Sequence, residues 1–172
     1  MTADLTGSDR AAIRRLLDLA FDGDFGDEDW EHALGGVHVL VSEDGVPVAH
    51  ASVVQRRLLH QGRSWRCGYV EAVAVHPRRQ RCGLGSTVMA AAERVIDGGY
   101  QVGALSASDA GREFYLARGW TLWRGPTAVL APSGVTRTEE DDDSTFMRAV
   151  PGGAPLDRTG MLICDWRDGD VW

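Results

Sequence analysis

The first part of the chain alternates hydrophobic and polar residues with the period of a helix. Within residues 8–21 the apolar positions recur at intervals of three and four, which places on one buried face Ile13, Leu16, Leu17, Ala20 and Phe21. Ser8 is the predicted N-cap. After a segment rich in Gly and Asp, a second, shorter helix is predicted from Asp27 to Leu34, and Gly35-Gly36 ends it.

From Val37 onward the period changes to two, which indicates β-strands. Three strands are predicted, over residues 37–42, 47–60 and 64–76. The turn sequences Asp44-Gly45 and Gln61-Gly62 separate them. Because short turns join antiparallel neighbours, these strands are expected to form a meander.

The second half of the chain mixes helices with short strands. Helices are predicted over residues 84–97 and 109–118, and strands over 102–105, 120–123, 146–150 and 161–164. The polar stretch 132–144 is expected to be an exposed loop that ends in the acidic run 139–143, although Asp142 or Asp143 could instead line a cleft. This order predicts a mixed α/β fold, a sheet with helices packed on it, in one domain over residues 1–172.

Composition narrows the classes of partner. The 172 residues carry a net charge of −7 with a pI near 5.1, which argues against nucleic acid or an anionic membrane as a partner. An acidic chain suits a cationic partner, and simple solubility is the alternative. Three cysteines without a CxxC pair predict neither a disulfide framework nor a metal site. The polar N-terminus lacks an apolar signal core, so a cytoplasmic protein is expected.

The stretch from Val73 to Ser86 is the most informative for chemistry. A predicted strand runs into a loop with Gly83, Gly85 and several arginines, and the loop opens a long helix. Unpaired backbone N–H groups at a helix start suit a pyrophosphate. No Gly-Lys-Ser/Thr follows, so the loop is not a P-loop. Taken alone, it could also be only a glycine-rich turn between a strand and a helix.

The wider context of this loop resembles the GCN5-related N-acetyltransferase (GNAT) superfamily. Gln80-Arg81-Cys82-Gly83-Leu84-Gly85 matches the family's acyl-CoA motif, and residues 113–120 match its second signature, with the aromatic pair Phe114-Tyr115. The resemblance implies the acyl-CoA acyltransferase fold, a central and mostly antiparallel sheet flanked by helices. It also implies that acetyl-CoA contacts a bulged strand and the loop, namely Val73, Ala74, Val75, Gln80, Arg81, Cys82, Gly83, Leu84, Gly85 and Ser86.

Acetyl transfer to an amine requires a base for the ammonium proton and a proton donor for the departing thiolate. Glu71 lies just upstream of the implied acyl contact and is the predicted base, acting directly or through water. The alternative is a structural acid that is paired with a cation. Tyr115 is the predicted acid, and the alternative is a core tyrosine.

Blocks outside the acetyl-CoA core, including the ending at residues 164–172, resemble the aminoglycoside 2′-N-acetyltransferase branch. That resemblance implies an aminoglycoside substrate, antibiotic resistance and a homodimer. Carried over by position, the substrate contacts are Asp24, Asp29, Glu71, Ser106, Asp170 and the terminal carboxylate of Trp172. Helix capping for Asp24 and Asp29 and a solvated tail for Asp170 are the alternatives. Another amine as acceptor, or a binding protein without turnover, also stays open.

Overall fold

The computed structural model describes all 172 residues and contains four α-helices and nine β-strands. The helices are α1 (Gly7–Ala20), α2 (Asp27–Ala33), α3 (Leu84–Gly99) and α4 (Asp109–Ala117). The strands are β1 (Val37–Glu43), β2 (Val46–His60), β3 (Arg63–Val75), β4 (Val102–Ser106), β5 (Thr121–Leu122), β6 (Thr127–Ala131), β7 (Gly134–Arg137), β8 (Thr145–Ala149) and β9 (Leu162–Asp165). Every predicted helix and strand is present, with ends that differ by one or two residues.

The start of α1 corrects one expectation. Thr6, and not Ser8, is the N-cap: its hydroxyl accepts the Asp9 N–H at 3.2 Å, and the Asp9 carboxylate accepts the Thr6 N–H at 2.9 Å. This reciprocal arrangement is a capping box, which needs an acceptor side chain three residues after the cap. Ser8 has no such partner at that spacing, since residue 11 is alanine.

The chain divides into two compact units, and β2 and β3 run through both. The first unit comprises residues 1–54 and 70–95. In it, β1 pairs antiparallel with β2, from Val37 opposite Val53 to Glu43 opposite Val46. One of its buried clusters joins α1, the segment before α2 and the end of β3, through Ile13, Leu17, Phe25 and Ala74.

The second unit comprises residues 55–69 and 96–172. Its strands follow the order β5-β8-β4-β3-β2-β9-β6-β7. The pairs β3–β4 and β6–β9 are parallel, whereas β4–β8, β5–β8, β2–β9 and β6–β7 are antiparallel. The prediction of a mixed, mostly antiparallel sheet is confirmed.

The stretch 132–144 is not the loop that the sequence predicted. Gly134–Arg137 forms the exposed strand β7, which pairs with β6, a strand that was not predicted either. A single 3-10 turn, Glu139–Asp141, follows. Elsewhere, none of the helices is both long and apolar enough to span a membrane.

Candidate active site

Strand β3 is distorted at Ala72. This residue has a φ of +51°, in the left-handed region that non-glycine residues rarely adopt. Such a residue interrupts the regular pleat of a strand, as a β-bulge does. The neighbouring side chains of Glu71 and Val73 are half-buried. The distortion therefore lies where the resemblance implies a bulge, beside the predicted base.

The loop after β3 turns twice through the left-handed region, at Arg81 (φ +59°) and Gly83 (φ +81°). The Gly83 carbonyl accepts both the backbone N–H and the hydroxyl of Thr87, at 3.0 and 3.2 Å, which starts α3 at Leu84. The first N–H groups of a helix have no acceptor within the helix, and they lie at the positive end of its dipole. The loop can thus present several amides of residues 81–86 to an anion.

Three arginines surround this loop, and all three are exposed: Arg78, Arg79 and Arg81. Arg79 forms an ion pair with Glu43, which raises the pKa of the guanidinium. Glu43 therefore offsets part of the positive charge near the loop. Arg78 and Arg81 contribute further positive charge on either side of Arg79.

The predicted substrate acids near the N-terminus differ in their contacts. Asp24 is exposed, whereas the carboxylate of Asp29 accepts the Gly26 N–H at 2.7 Å. Helix capping, the alternative considered for Asp29, is therefore realised with one of its oxygens. Arg14 was not predicted to matter, yet it donates to the Phe25 carbonyl at 3.0 Å and thereby holds the segment that carries Asp24.

Ser106 and Tyr115 lie at the end of β4 and on α4, respectively. The Ser106 hydroxyl donates to the Ser144 hydroxyl at 3.0 Å. The Tyr115 ring is buried and lies 5.2 Å from the ring of Phe114 and 6.3 Å from that of Phe146, between centroids. Burial raises the pKa of Tyr115 to about 12, so its hydroxyl keeps its proton at neutral pH.

The end of the chain is folded into the second unit and is not a frayed tail. The Trp172 side chain is 3% exposed, and its indole N–H donates to the Thr138 hydroxyl at 2.9 Å. Arg167 donates to the backbone oxygens of Asp170 and Trp172 at 2.7 and 2.9 Å. A carboxylate oxygen of Asp170 accepts the Trp172 N–H at 3.1 Å. Asp170 itself remains exposed.

The acidic run contains two half-buried residues, Asp141 and Asp142, which corrects the expectation of a solvated loop. Asp142 pairs with Arg137 and also accepts the Thr127 N–H at 2.7 Å, and these contacts hold its pKa well below the usual range. Burial, followed by the nearby charges of Asp170 and Glu140, raises the pKa of Asp141 to about 6. The five consecutive acids gave no sequence signal as to which of them would be half-buried.

Two comparisons bear on this arrangement. Residues 3–123 match the family model for the acetyltransferase (GNAT) domain. The chain is also 56% identical, over 99% of its length and 89% of the relative's, to the aminoglycoside 2′-N-acetyltransferase of Mycolicibacterium fortuitum. The chain belongs to the GNAT acetyltransferase family. Membership confirms the predicted acyltransferase fold.

Solved GNAT structures agree with the fold. The GNAT family N-acetyltransferase YhbS of Escherichia coli, solved in complex with CoA, superposes with a TM-score of 0.67 at 15% identity, over 92% of this chain and 86% of that one. A GCN5-related N-acetyltransferase from Kribbella flavida has a TM-score of 0.60 at 23% identity, over 72% of this chain. The chain spans only 33% of that larger protein. At these identities the likeness concerns the fold alone.

Proposed function

We propose that this GNAT chain transfers the acetyl group of acetyl-CoA to the 2′-amine of aminoglycosides. The observation that carries the proposal is the 56% identity to the M. fortuitum enzyme over 99% of the chain. That similarity extends past residue 123, where the family model ends, into the segment that holds Asp141, Asp170 and Trp172. Resistance to these antibiotics would be its consequence in a cell.

The cofactor side of the proposal rests on the loop and on β3. The amides of residues 81–86 suit the pyrophosphate of CoA, because they combine left-handed turns with a helix start. The main chain of Val73–Val75 would contact the pantetheine arm and the acetyl carbonyl, as the family resemblance implies. The match of residues 3–123 to the acetyltransferase (GNAT) family model supports acetyl-CoA as the cofactor.

The acceptor side rests on carboxylates. Asp24 and Asp170 are exposed, and Asp141 lies near enough to Asp170 to feel its charge. Aminoglycosides are polycations, which acidic side chains attract and orient. The net charge of −7 also attracts polycations to the protein over longer distances.

In the reaction, the lone pair of the neutral amine attacks the thioester carbonyl, and the C–S bond then breaks. Glu71 would remove the ammonium proton, directly or through water, and Tyr115 would donate to the departing thiolate sulfur. A backbone N–H would polarise the carbonyl oxygen. These roles follow from the family resemblance and from the protonated state of Tyr115.

A pair of substrates tests the proposal. Kanamycin B carries an amine at the 2′ position, where kanamycin A carries a hydroxyl. Incubation with acetyl-CoA should release thiol and add one acetyl group to kanamycin B only, as mass spectrometry would show. Acetylation of both compounds at equal rates would show that the amine that is acetylated is not the one at the 2′ position. A polyamine, an envelope amino sugar or a peptide N-terminus that reacts far better than kanamycin B would replace the proposed acceptor, and binding without turnover would exclude an enzyme.

Two further parts of the proposal concern the protein in the cell. We expect it to work in the cytoplasm, where acetyl-CoA is made, and to form a homodimer, as the family resemblance implies. Light scattering of the purified protein tests the dimer.

A further inference from the structure

A chain of hydrogen bonds leads from the N-terminal segment to the distorted residue of β3. The Thr2 hydroxyl lies 2.8 Å from His38 Nε2, and His38 Nδ1 lies 2.9 Å from His50 Nε2. His50 Nδ1 then lies 2.7 Å from the carbonyl oxygen of Ala72. The His50 side chain is fully buried. All four residues belong to the first compact unit.

The last contact fixes the direction of the whole chain. A carbonyl oxygen only accepts, so His50 Nδ1 must carry the proton and donate to Ala72. Burial lowers the pKa of His50, and also of His38, to about 4, so both rings are neutral at pH 7. His50 Nε2 therefore accepts from His38 Nδ1, and His38 Nε2 accepts from the Thr2 hydroxyl. Each ring is held in one tautomer.

The left-handed conformation of Ala72 needs support. A non-glycine residue at such a φ is strained, and it persists only when its surroundings determine it. The Ala72 side chain packs against the cluster that contains Ile13, Leu17 and Phe25. The His50 contact holds the carbonyl of the same residue. Packing on the side chain and hydrogen bonding on the backbone together fix this peptide.

The carbonyl of Ala72 and the N–H of Val73 belong to one planar trans peptide, because no cis peptide bond occurs in the chain. In such a unit the two groups point in opposite directions. We propose that His50 is a positioning residue: by holding the Ala72 carbonyl, it aims the Val73 N–H at the acetyl carbonyl of acetyl-CoA. The inference rests on the proposed function, in which the main chain of Val73 contacts the acyl group. The hydrogen bond on the carbonyl also polarises the N–H of that amide.

Two substitutions at one position separate this role from a general structural one. Asparagine places its amide near the position of Nδ1, so His50→Asn keeps a donor to Ala72 and loses the contact with His38. Glutamine reaches toward the position of Nε2, so His50→Gln keeps the His38 contact and loses the donor to Ala72. Ser52→Ala is the matched control. Ser52 is two residues along β2, fully buried, and its hydroxyl has no hydrogen-bond partner.

We expect His50→Gln to lower kcat about tenfold, a part of the hundredfold or greater loss that follows removal of a carbonyl-polarising donor. The KM for acetyl-CoA should change by no more than about twofold, because the substitution weakens an interaction that stabilises the transition state more than the bound cofactor. His50→Asn should recover most of the rate, and Ser52→Ala should match the natural protein. Equal losses in His50→Asn and His50→Gln, or a rise in KM without a change in kcat, would overturn the proposal.

A second measurement does not depend on the acceptor. The stretching frequency of the thioester carbonyl in bound acetyl-CoA, labelled with carbon-13, reports how strongly that carbonyl is polarised. It should rise in His50→Gln and stay low in His50→Asn and Ser52→Ala. If kanamycin B is not acetylated, the proposed acceptor fails while this test stands. An unchanged frequency in His50→Gln that still binds acetyl-CoA would refute the role of His50.

Discussion

Replacing Trp172 by alanine tests whether the last residue is part of the folded core. Its indole is 3% exposed, and it donates to Thr138, a buried residue whose hydroxyl donates in turn to that of Thr127 at 3.0 Å. Truncating a buried tryptophan to alanine costs about 3 to 5 kcal/mol. The lost donor to a buried hydroxyl adds about 1 kcal/mol. Because a chain end can relax, we expect the free energy of unfolding to fall by about 4 kcal/mol in total.

Urea unfolding at pH 7, followed by circular dichroism, measures this loss. Trp166→Ala is the matched control, since Trp166 lies in the same segment and is 48% exposed. The control should change stability by less than about 1 kcal/mol. If Trp172→Ala costs no more than Trp166→Ala, the burial of the terminal indole does not stabilise the fold and the reasoning is wrong.

Four further outcomes are expected. Deleting residues 171–172 should weaken aminoglycoside binding more than acetyl-CoA binding, measured by calorimetry at a temperature where the variant is folded; equal losses would assign the tail a structural role only. Tyr115→Phe should lower kcat by at least about tenfold with little change in acetyl-CoA affinity; an unchanged kcat would remove Tyr115 from the chemistry. His50 has a pKa of about 4 in the folded state and about 6.5 in the unfolded state, so between these values only the unfolded state binds a proton there. As the pH falls from 6.5 to 4, His50 should therefore lower the free energy of unfolding by up to about 1.4 kcal/mol per pH unit. Asp141, whose pKa is raised to about 6, has the opposite effect between pH 6 and 4, because there the folded state binds more protons than the unfolded state. Urea unfolding at a series of pH values should show that the free energy of unfolding falls more steeply with acid in Asp141→Asn than in the natural protein, and less steeply in His50→Asn.

Most of the elements that the sequence predicted have a buried face, although β6 was missed while Thr127, Ala128 and Val129 are buried. Helix α1 shows this, because burial of one face imposes a helical period on its apolar residues. Strand β7 was missed because all four of its residues are exposed, so no alternation marks it. Pairing with β6, and not burial, defines it. The cap at Thr6 was available in the sequence, since Asp9 follows at the spacing of a capping box.

The site was predictable to a different extent. The conformation of the loop over residues 80–86 depends on a left-handed glycine and on a helix start, and neighbouring residues in the sequence determine both. The contact between His50 and Ala72 joins positions 22 residues apart, and nothing in the local sequence marks either residue as the partner of the other. Likewise, only the folded chain shows that Asp141 shares its surroundings with Asp170, since the two are far apart in sequence. Long-range polar contacts of this kind leave no periodic signal.

The raised pKa of Tyr115 constrains how it can serve as an acid. A thiol has a reference pKa of about 8.5, so full transfer of a proton from a tyrosine at about 12 to a free thiolate is uphill by roughly 5 kcal/mol. A hydrogen bond from the same hydroxyl needs no transfer, and it strengthens as negative charge develops on the sulfur. In the proposed role, Tyr115 would therefore act best on the breaking C–S bond, where it would stabilise the charge before a proton moves. Burial supports this role twice, because it keeps the hydroxyl protonated and lowers the dielectric around the bond that it makes.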